Sequence, residues 1–496
     1  MRDKTKTFLS KSKYMEGLQC KKLLWYEYNR KELIPPPDPA KQAIFDEGTK
    51  IGEIARTLFP GGMKLERNKF PEGHDKQSRE ALKERRPLFE AGFIANRGYA
   101  LADVLLPVGR SAWDLIEVKS SASVKEEHMP DVAFQLYTYR NAGLDVRSCS
   151  LMYINNQYLR KGKIDAGKLF AKEDISAQVE ELLGYTKTML PKLLSIIAQS
   201  DEPKVEIGPQ CDSPYECPLK GHCWKHLPLH NSVFTLYRGK KLAFELMKKG
   251  AKDLFAIPKG TMLNDKQQIQ LACCVKNDSY VDRDGLAAFL EKLEYPLYFL
   301  DFETVSNAVP LYDLSRPYEQ IPFQYSLHVV EKIGAKPKHY SFIAPDTTDP
   351  RPQILKQLKD LLKDKGSIIA YSAPFEIGAL VRSAGIYTDY MDWVEGIKER
   401  VVDLLTPFRA FHYYHPKQEG NNSLKAVLPA LTGISYKEME IAEGEVASKE
   451  YARVTFSQGV SPEERKRVYE ALEKYCGLDT SGMIDILQAL RKEAGG

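Results

Sequence analysis

The sequence predicts a mixed α/β chain, with two strand-bearing modules joined by a helical segment. Three observations predict it. At 496 residues the chain exceeds the roughly 250–300 residues at which a single core stops growing. Strand-like runs crowd between positions 88 and 119, and strands alternate with helices from position 295 onward, each readable from the period of its apolar residues. Between these regions, residues 233–293 read as helices alone. The predicted domains are 1–228, a connector over 229–292, and 293–496.

Composition sets outer bounds. Apolar residues make up 43% and charged residues 28%, as in soluble globular proteins. The net charge of +4 comes from 71 basic and 67 acidic side chains, so any surface for a polyanion must be local. The first 33 residues are one candidate, with nine Lys or Arg against four acids. No run approaches the roughly 18 apolar residues of a membrane span. Residues 1–6 are basic but no apolar core follows, which predicts no signal peptide, no membrane partner and a cytoplasmic protein. Eight cysteines in a reducing compartment point to a metal wherever they cluster.

In the first module, residues 14–28 read as helix with Cys20 inside, prolines 35–37 break it, and a second helix spans 43–58. Strands follow at 88–93, 99–106 and 113–119. The turn at 109–111 makes the last two an antiparallel hairpin. Strand alternation puts Glu117 and Lys119 on one face, with Asp103 on the neighbouring strand. Alone, Glu-x-Lys is a common surface ion pair. A helix over 131–139 brings Gln135 and Tyr139 one turn apart. Together these residues resemble the PD-(D/E)XK nucleases, in their RecB-like branch. The resemblance implies that Asp103 and Glu117, with Glu90 as an additional acid, hold Mg²⁺ or Mn²⁺. It implies that Lys119 polarises the attacking water or steadies the phosphate, and that Gln135 and Tyr139 form the branch's Q-x-x-x-Y motif.

Cys211, Cys217 and Cys223 fall within thirteen residues, far from Cys20. One early and three late cysteines around such a core resemble the iron–sulfur nucleases of the AddB and CRISPR-adaptation types. That implies a [4Fe–4S] cluster on Cys20, Cys211, Cys217 and Cys223. The late spacing differs from the family's, so Zn²⁺ on the same thiolates is the alternative, with His222 or His226 able to replace one. Cys149, Cys273, Cys274 and Cys476 read as core cysteines. The connector helices are expected at 233–249, 265–275 and 284–293.

The last module begins with a strand over 298–304 that carries Asp301 and Glu303 on one face. Two adjacent carboxylates on an apolar strand are costly unless a cation lies between them, and oxygen ligands suit Mg²⁺ or Mn²⁺. The plain alternative is a solvated strand end. Strands at 323–330 and 339–344, a helix at 354–362 and a strand from 368 follow. Next come Ser372, Phe375 and Glu376, then Asp403, and a late helix carrying Tyr475 and Asp479 one turn apart. This order resembles the DEDD exonucleases in their tyrosine branch. Asp301 and Glu303 match D-x-E, and Tyr475 and Asp479 match Y-x-x-x-D. Ser372, Phe375 and Glu376 stand where the family has Asn, an aromatic and Asp. The resemblance implies a ribonuclease H-like sheet and metals held by Asp301, Glu303, Glu376 and Asp479, with Asp403 as a further acid. Tyr475 would orient the water.

As a whole the chain resembles a bacterial family of undefined function that joins these two modules. The implied expectation is a metal-dependent nuclease acting on DNA, with two active sites and 3′ to 5′ trimming at the second, in repair, recombination or defence. RNA as substrate, and a nucleic-acid-binding scaffold with silent sites, are the alternatives.

Overall fold

The computed structural model describes residues 7–66 and 70–495; the basic segment 1–6 lies outside them. It is mixed α/β and divides into two compact units, Met1–Lys225 with Asn307–Tyr318, and His226–Ser306 with Glu319–Gly496. Residues 229–292, expected as a connector, fall within the second unit, and a short excursion at 307–318 falls within the first. Among the described residues, no helix is long and apolar enough to cross a membrane.

Among the described residues the first unit has nine strands: β1 (Leu9–Ser10), β2 (Met63–Lys64), β3 (Leu88–Phe89), β4 (Ala91–Ala95), β5 (Gly98–Ala102), β6 (Val104–Val108), β7 (Ala112–Lys119), β8 (Val146–Ile154) and β9 (Phe170–Asp174). One sheet runs β2-β3-β6-β7-β8-β9 and a smaller one β1-β5-β4. The run expected as one strand over 88–93 breaks at Glu90, whose φ is +59°. The run expected over 99–106 breaks at Asp103. Each break sends the chain from one sheet to the other, so both acids stand where a continuous strand would have carried them away. The hairpin forms as read, with Val104 opposite Ile116 and Val108 opposite Ala112.

β7 and β8 run parallel, and a parallel pair needs a crossover. The helix His128–Asn141 lies on that connection. It is buried on most of its surface, including Phe134, Gln135 and Tyr139. Tyr139 donates its hydroxyl proton to the Ala91 carbonyl at 2.6 Å, which satisfies a buried polar group. Phe134, Leu115 and Leu151 share one apolar core with Tyr14 of the helix Lys11–Gln19.

The second unit's main sheet uses β11 (Leu297–Val305), β12 (Ile321–Val330), β13 (Lys338–Ile343), β14 (Ile368–Ala370) and β15 (Val401–Asp403) in the order β13-β12-β11-β14-β15. A two-stranded ribbon pairs β10 (Tyr280–Val281) with β16 (Tyr413–Tyr414). β11 is antiparallel to β12 and parallel to β14. Helices expected at 233–249 and 284–293 are shorter, Lys240–Lys248 and Arg283–Leu290; residues 233–235 form a 3₁₀ turn. Gly239 precedes the first of these helices, and a Cβ there would meet Leu236 at 2.6 Å.

The 33-residue helix Pro462–Ala494 sets the second unit's geometry. Ser461 caps it by accepting from the Glu464 amide, and Pro462 opens its first turn, where a missing N–H costs nothing. Its buried face recurs every three or four residues: Val468, Leu472, Tyr475, Cys476, Asp479, Met483. That stripe places Tyr475 and Asp479 over the sheet. Leu472→Ala should lower stability by about 3 kcal/mol, which denaturant melts can read.

Candidate functional site

The second unit gathers its acids on three elements. β11 presents Asp301 and Glu303, the helix Ala373–Ile386 presents Glu376, and the long helix presents Asp479. Asp301, Glu303 and Asp479 each offer an oxygen within 4.8 Å of the other two. All four acids and Tyr475 line one open cleft of about 620 Å³. Glu303, Glu376 and Asp479 are each under 10% exposed, an expensive place for like charges. Burial, then the Glu376, Asp479 and Glu303 charges, push Asp301 well above the carboxylate range. Burial, then Asp479, push Glu303 up to about 8. Burial and Glu303 likewise raise Glu376. Burial lifts Asp479 to about 6 against the pull of Tyr436 and Lys425.

Two further observations bear on a cation. The Glu376 Oε2 atom is buried with no hydrogen-bond partner among the described residues. The donors are all carboxylates, the ligand type that hard divalent ions take. The residues therefore fit one or two Mg²⁺ or Mn²⁺ ions.

Sequence reasoning missed three side chains here. Tyr436 donates to Asp479 Oδ1 at 2.5 Å. Lys425 sets its ammonium 5.1 Å from the Tyr475 ring centre and 5.9 Å from that of Tyr436, at cation–π range. It also favours the ionised forms of Glu303 and Asp479. Cys476, read as a core cysteine, points its thiol at Asp301 Oδ2, 3.4 Å away. Its place one residue after Tyr475 was the available signal. Asp403 bonds to backbone on one of its oxygens. Its Oδ1 accepts the amides of Ser372 and Leu405 at 2.9 and 3.0 Å, holding Ser372 at φ +71° as the residue that starts the Glu376 helix.

The metal-free acids make pH a direct probe. Glu303 and Asp479 hold protons in the fold that the unfolded chain has already released. Their contribution to the metal-free fold is therefore complete below about pH 4 and is lost as pH rises through 6 and 8. Added Mn²⁺ must displace those protons, so its affinity should rise between pH 6 and 8. Mn²⁺ titrations at three pH values check this; a flat profile would contradict it. Tyr436→Phe, which deletes one hydrogen bond to Asp479, should weaken Mn²⁺ binding by about tenfold, read in the same titration.

The first unit builds a different cluster. The β7 carboxylate of Glu117, 2% exposed, accepts Lys119 Nζ at 2.7 Å and Lys11 Nζ at 2.6 Å on Oε1. Its Oε2 accepts Gln135 Nε2 at 2.6 Å. Lys119 also reaches Asp131 at 2.5 Å. Asp103 accepts the Val118 amide at 2.7 Å. Burial and the Glu117 charge push Asp103 up to about 7. Burial would raise Glu117 too, but the Lys11 and Lys119 ammoniums hold it far below the carboxylate range. Asp103, Glu117, Lys119 and Gln135 are thus tied into one cluster. Glu90 pairs with Arg56 at 2.7 Å, and Tyr139 bonds to backbone as described. Lys11 and Asp131 were not foreseen, because no strand or helix period links position 11 to position 117.

Cys20, Cys211, Cys217 and Cys223 all line one small pocket. Cys211 and Cys217 are buried, and the chain closes between them through the Cys217 amide on the Cys211 carbonyl at 2.9 Å. Burial pushes the Cys217 thiol up to about 11 and raises that of Cys223. The four cysteines thus share one pocket, and thiols are the donor type of an iron–sulfur cluster or of zinc. His222 is engaged elsewhere, its Nε2 lying 2.9 Å from the Tyr26 hydroxyl.

The fold and these sites define an α/β protein with an acidic cleft suited to divalent metal. A family model described as "Domain of unknown function (DUF2779)" matches residues 298–423, which span Asp301, Glu303, Glu376 and Asp403 but not Lys425, Tyr475 or Asp479. The chain is similar to the "Uncharacterized protein MG366 homolog" of Mycoplasma pneumoniae (strain ATCC 29342 / M129 / Subtype 1), 26% identical over 230 residues, or 41% of this chain and 34% of the relative. It is also similar to "Uncharacterized protein MG366" of Mycoplasma genitalium (strain ATCC 33530 / DSM 19775 / NCTC 10195 / G37), 27% identical over 215 residues, 40% of this chain and 32% of the relative. The chain spans about a third of the length of these curated relatives.

Proposed function

We propose that the chain is a metal-dependent nuclease acting on DNA, with a ribonuclease H-like exonuclease module in the second unit and a RecB-like PD-(D/E)XK module in the first. The observation that carries the reading is the cleft in which Asp301, Glu303 and Asp479 converge with Glu376 and Tyr475. Asp301, Glu303, Glu376 and Asp479 would hold the metals. When bound, two such ions supply an activated water and relieve charge on the leaving oxygen.

The remaining roles belong to the chain's own groups. Burial, Asp479 and Glu303 hold the Tyr475 hydroxyl far above its usual range, so it keeps its proton and orients the attacking water by hydrogen bonding. Lys425 supplies a fixed positive charge for a phosphodiester entering the cleft. Phe375 lines the same cleft with its ring 41% exposed, suited to stacking on a terminal base. Gly444 lines the same cleft beside Glu303 and Tyr475. Trimming from the 3′ end follows from the resemblance to the DEDD exonucleases. In the first unit, Asp103 and Glu117 would hold Mg²⁺ or Mn²⁺, and Lys119 would act on water or phosphate. The four cysteines would hold a [4Fe–4S] cluster, or Zn²⁺.

A second reading, a nucleic-acid-binding scaffold, is favoured at the first unit by one observation: both oxygens of Glu117 are already engaged by Lys11, Lys119 and Gln135. The test is cleavage of end-labelled single- and double-stranded DNA with Mg²⁺ or Mn²⁺. It compares the natural chain, Lys119→Ala, Asp301→Ala and the double variant. Loss of one product pattern with each change supports two working sites. Salt-sensitive binding without cleavage supports the scaffold. Cleavage of RNA alone reassigns the substrate.

A further inference from the structure

The first unit carries a charged group that neither strand pairing nor the proposed catalytic set accounts for. Lys11 begins the helix Lys11–Gln19, directly after β1, which pairs parallel with β5. Its Nζ stands 2.6 Å from Glu117 Oε1 and 3.7 Å from Asp131 Oδ1. Lys119 stands 2.7 Å from the same Glu117 oxygen and 2.5 Å from Asp131 Oδ2. Glu117 Oε1 is thus shared by two ammoniums, while Gln135 holds Oε2. Oxygen ligands at about 2.1 Å from a small divalent ion need an oxygen that neither ammonium occupies. One lysine has to yield.

The distances say which. Lys119 has a second short bond, to Asp131, so it keeps a partner when Glu117 is taken from it. Lys11 has only the long 3.7 Å approach. Exposure does not separate the two lysines, at 22% for Lys11 and 25% for Lys119, so the choice rests on the second bond. Charge counting agrees. Asp103, Glu117 and Asp131 carry three negative charges when ionised, against two positive from Lys11 and Lys119. A divalent ion added to that set leaves an excess of one positive charge, which a phosphodiester neutralises.

We infer that Lys11 is the placeholder cation of the first unit: its ammonium fills the metal position on Glu117, yields to a divalent ion, and then binds the phosphodiester that enters. The inference rests on the metal-binding reading of Asp103 and Glu117 and adds to it a residue with two opposite effects. Lys11 opposes metal and favours the polyanion.

The experiment uses the full chain with Asp301→Asn, to silence the acids of the second unit, and follows Mn²⁺ binding by electron paramagnetic resonance alongside cleavage of single-stranded DNA. Lys11→Met should bind Mn²⁺ about tenfold more tightly, the effect of removing one like charge from a part-exposed site, and should cleave DNA at least tenfold more slowly. Lys11→Arg, which keeps the charge, should retain the weaker Mn²⁺ affinity and guards against a folding artefact. Mn²⁺ affinity unchanged or weakened by Lys11→Met overturns the placeholder role. Tighter Mn²⁺ with faster cleavage overturns the phosphate role. Failure of Glu117→Gln to remove any Mn²⁺ overturns the metal reading of this unit and Lys11's part in it together. Mn²⁺ that depends on Glu117 but ignores Lys11 overturns the inference alone.

Discussion

Asp301→Asn should raise the stability of the metal-free second unit and abolish that unit's response to metal. The first effect follows from burial. Asp301 sits against Glu303, Glu376 and Asp479 and is pushed well above the carboxylate range, so near neutral pH the fold must bind a proton that the unfolded chain lacks. An amide of the same shape needs none. The second unit should then melt several degrees higher, at roughly 2–4 °C for each kcal/mol gained, and the gain should be larger at pH 8 than at pH 5. The second unit of the natural chain should gain stability with Mn²⁺ by mass action, and that of the variant should not. Under the proposed reading, exonuclease products assigned to the second unit should fall by about a thousandfold, since both the water and the leaving oxygen would depend on the ions. Scanning calorimetry at two pH values, with and without Mn²⁺, reads the stability effects. A variant less stable than the natural chain at pH 8 would show that Asp301 has a structural partner instead.

Cys217→Ser should release the metal group proposed for the first unit and unfold the region that group would close. Cys217 shares a pocket with Cys20, Cys211 and Cys223, and the thiols of Cys217 and Cys223 resist ionisation without a cation. Sites of this kind supply folding energy outright, about 10 kcal/mol or more for zinc in small domains. The loss should therefore appear as protease sensitivity within residues 1–225 while the second unit still melts normally. Anaerobically purified natural chain should be brown, with absorbance near ~400 nm, if the group is an iron–sulfur cluster. A colourless chain with one zinc per molecule selects the alternative. A natural chain with neither metal would remove the group from the proposal.

Strand alternation put Asp301 beside Glu303 and Glu117 beside Lys119, because a period of two is a property of the backbone alone. Helical spacing put Tyr475 above Asp479 and Gln135 beside Tyr139 for the same reason. The hairpin of β6 and β7 was readable from its turn. What the period could not show is where a strand stops. Glu90 and Asp103 each end a strand and pass the chain to another sheet, a choice made by sheet packing rather than by neighbouring residues.

The same limit explains the residues that pattern reading missed. Tyr436, Lys425 and Cys476 reach the acids of the second unit, and Lys11 and Asp131 reach Glu117, across separations that no local period spans. Asp403 was read as an acid of the cleft, yet its oxygen is used by two backbone amides, because a bent chain at Ser372 needs an acceptor there. Local period alone places acids, a lysine and a tyrosine in pairs on shared faces. Which pairs converge and which are neutralised is set by the fold, since buried charge is tolerated only where another part of the chain, or a cation, answers it.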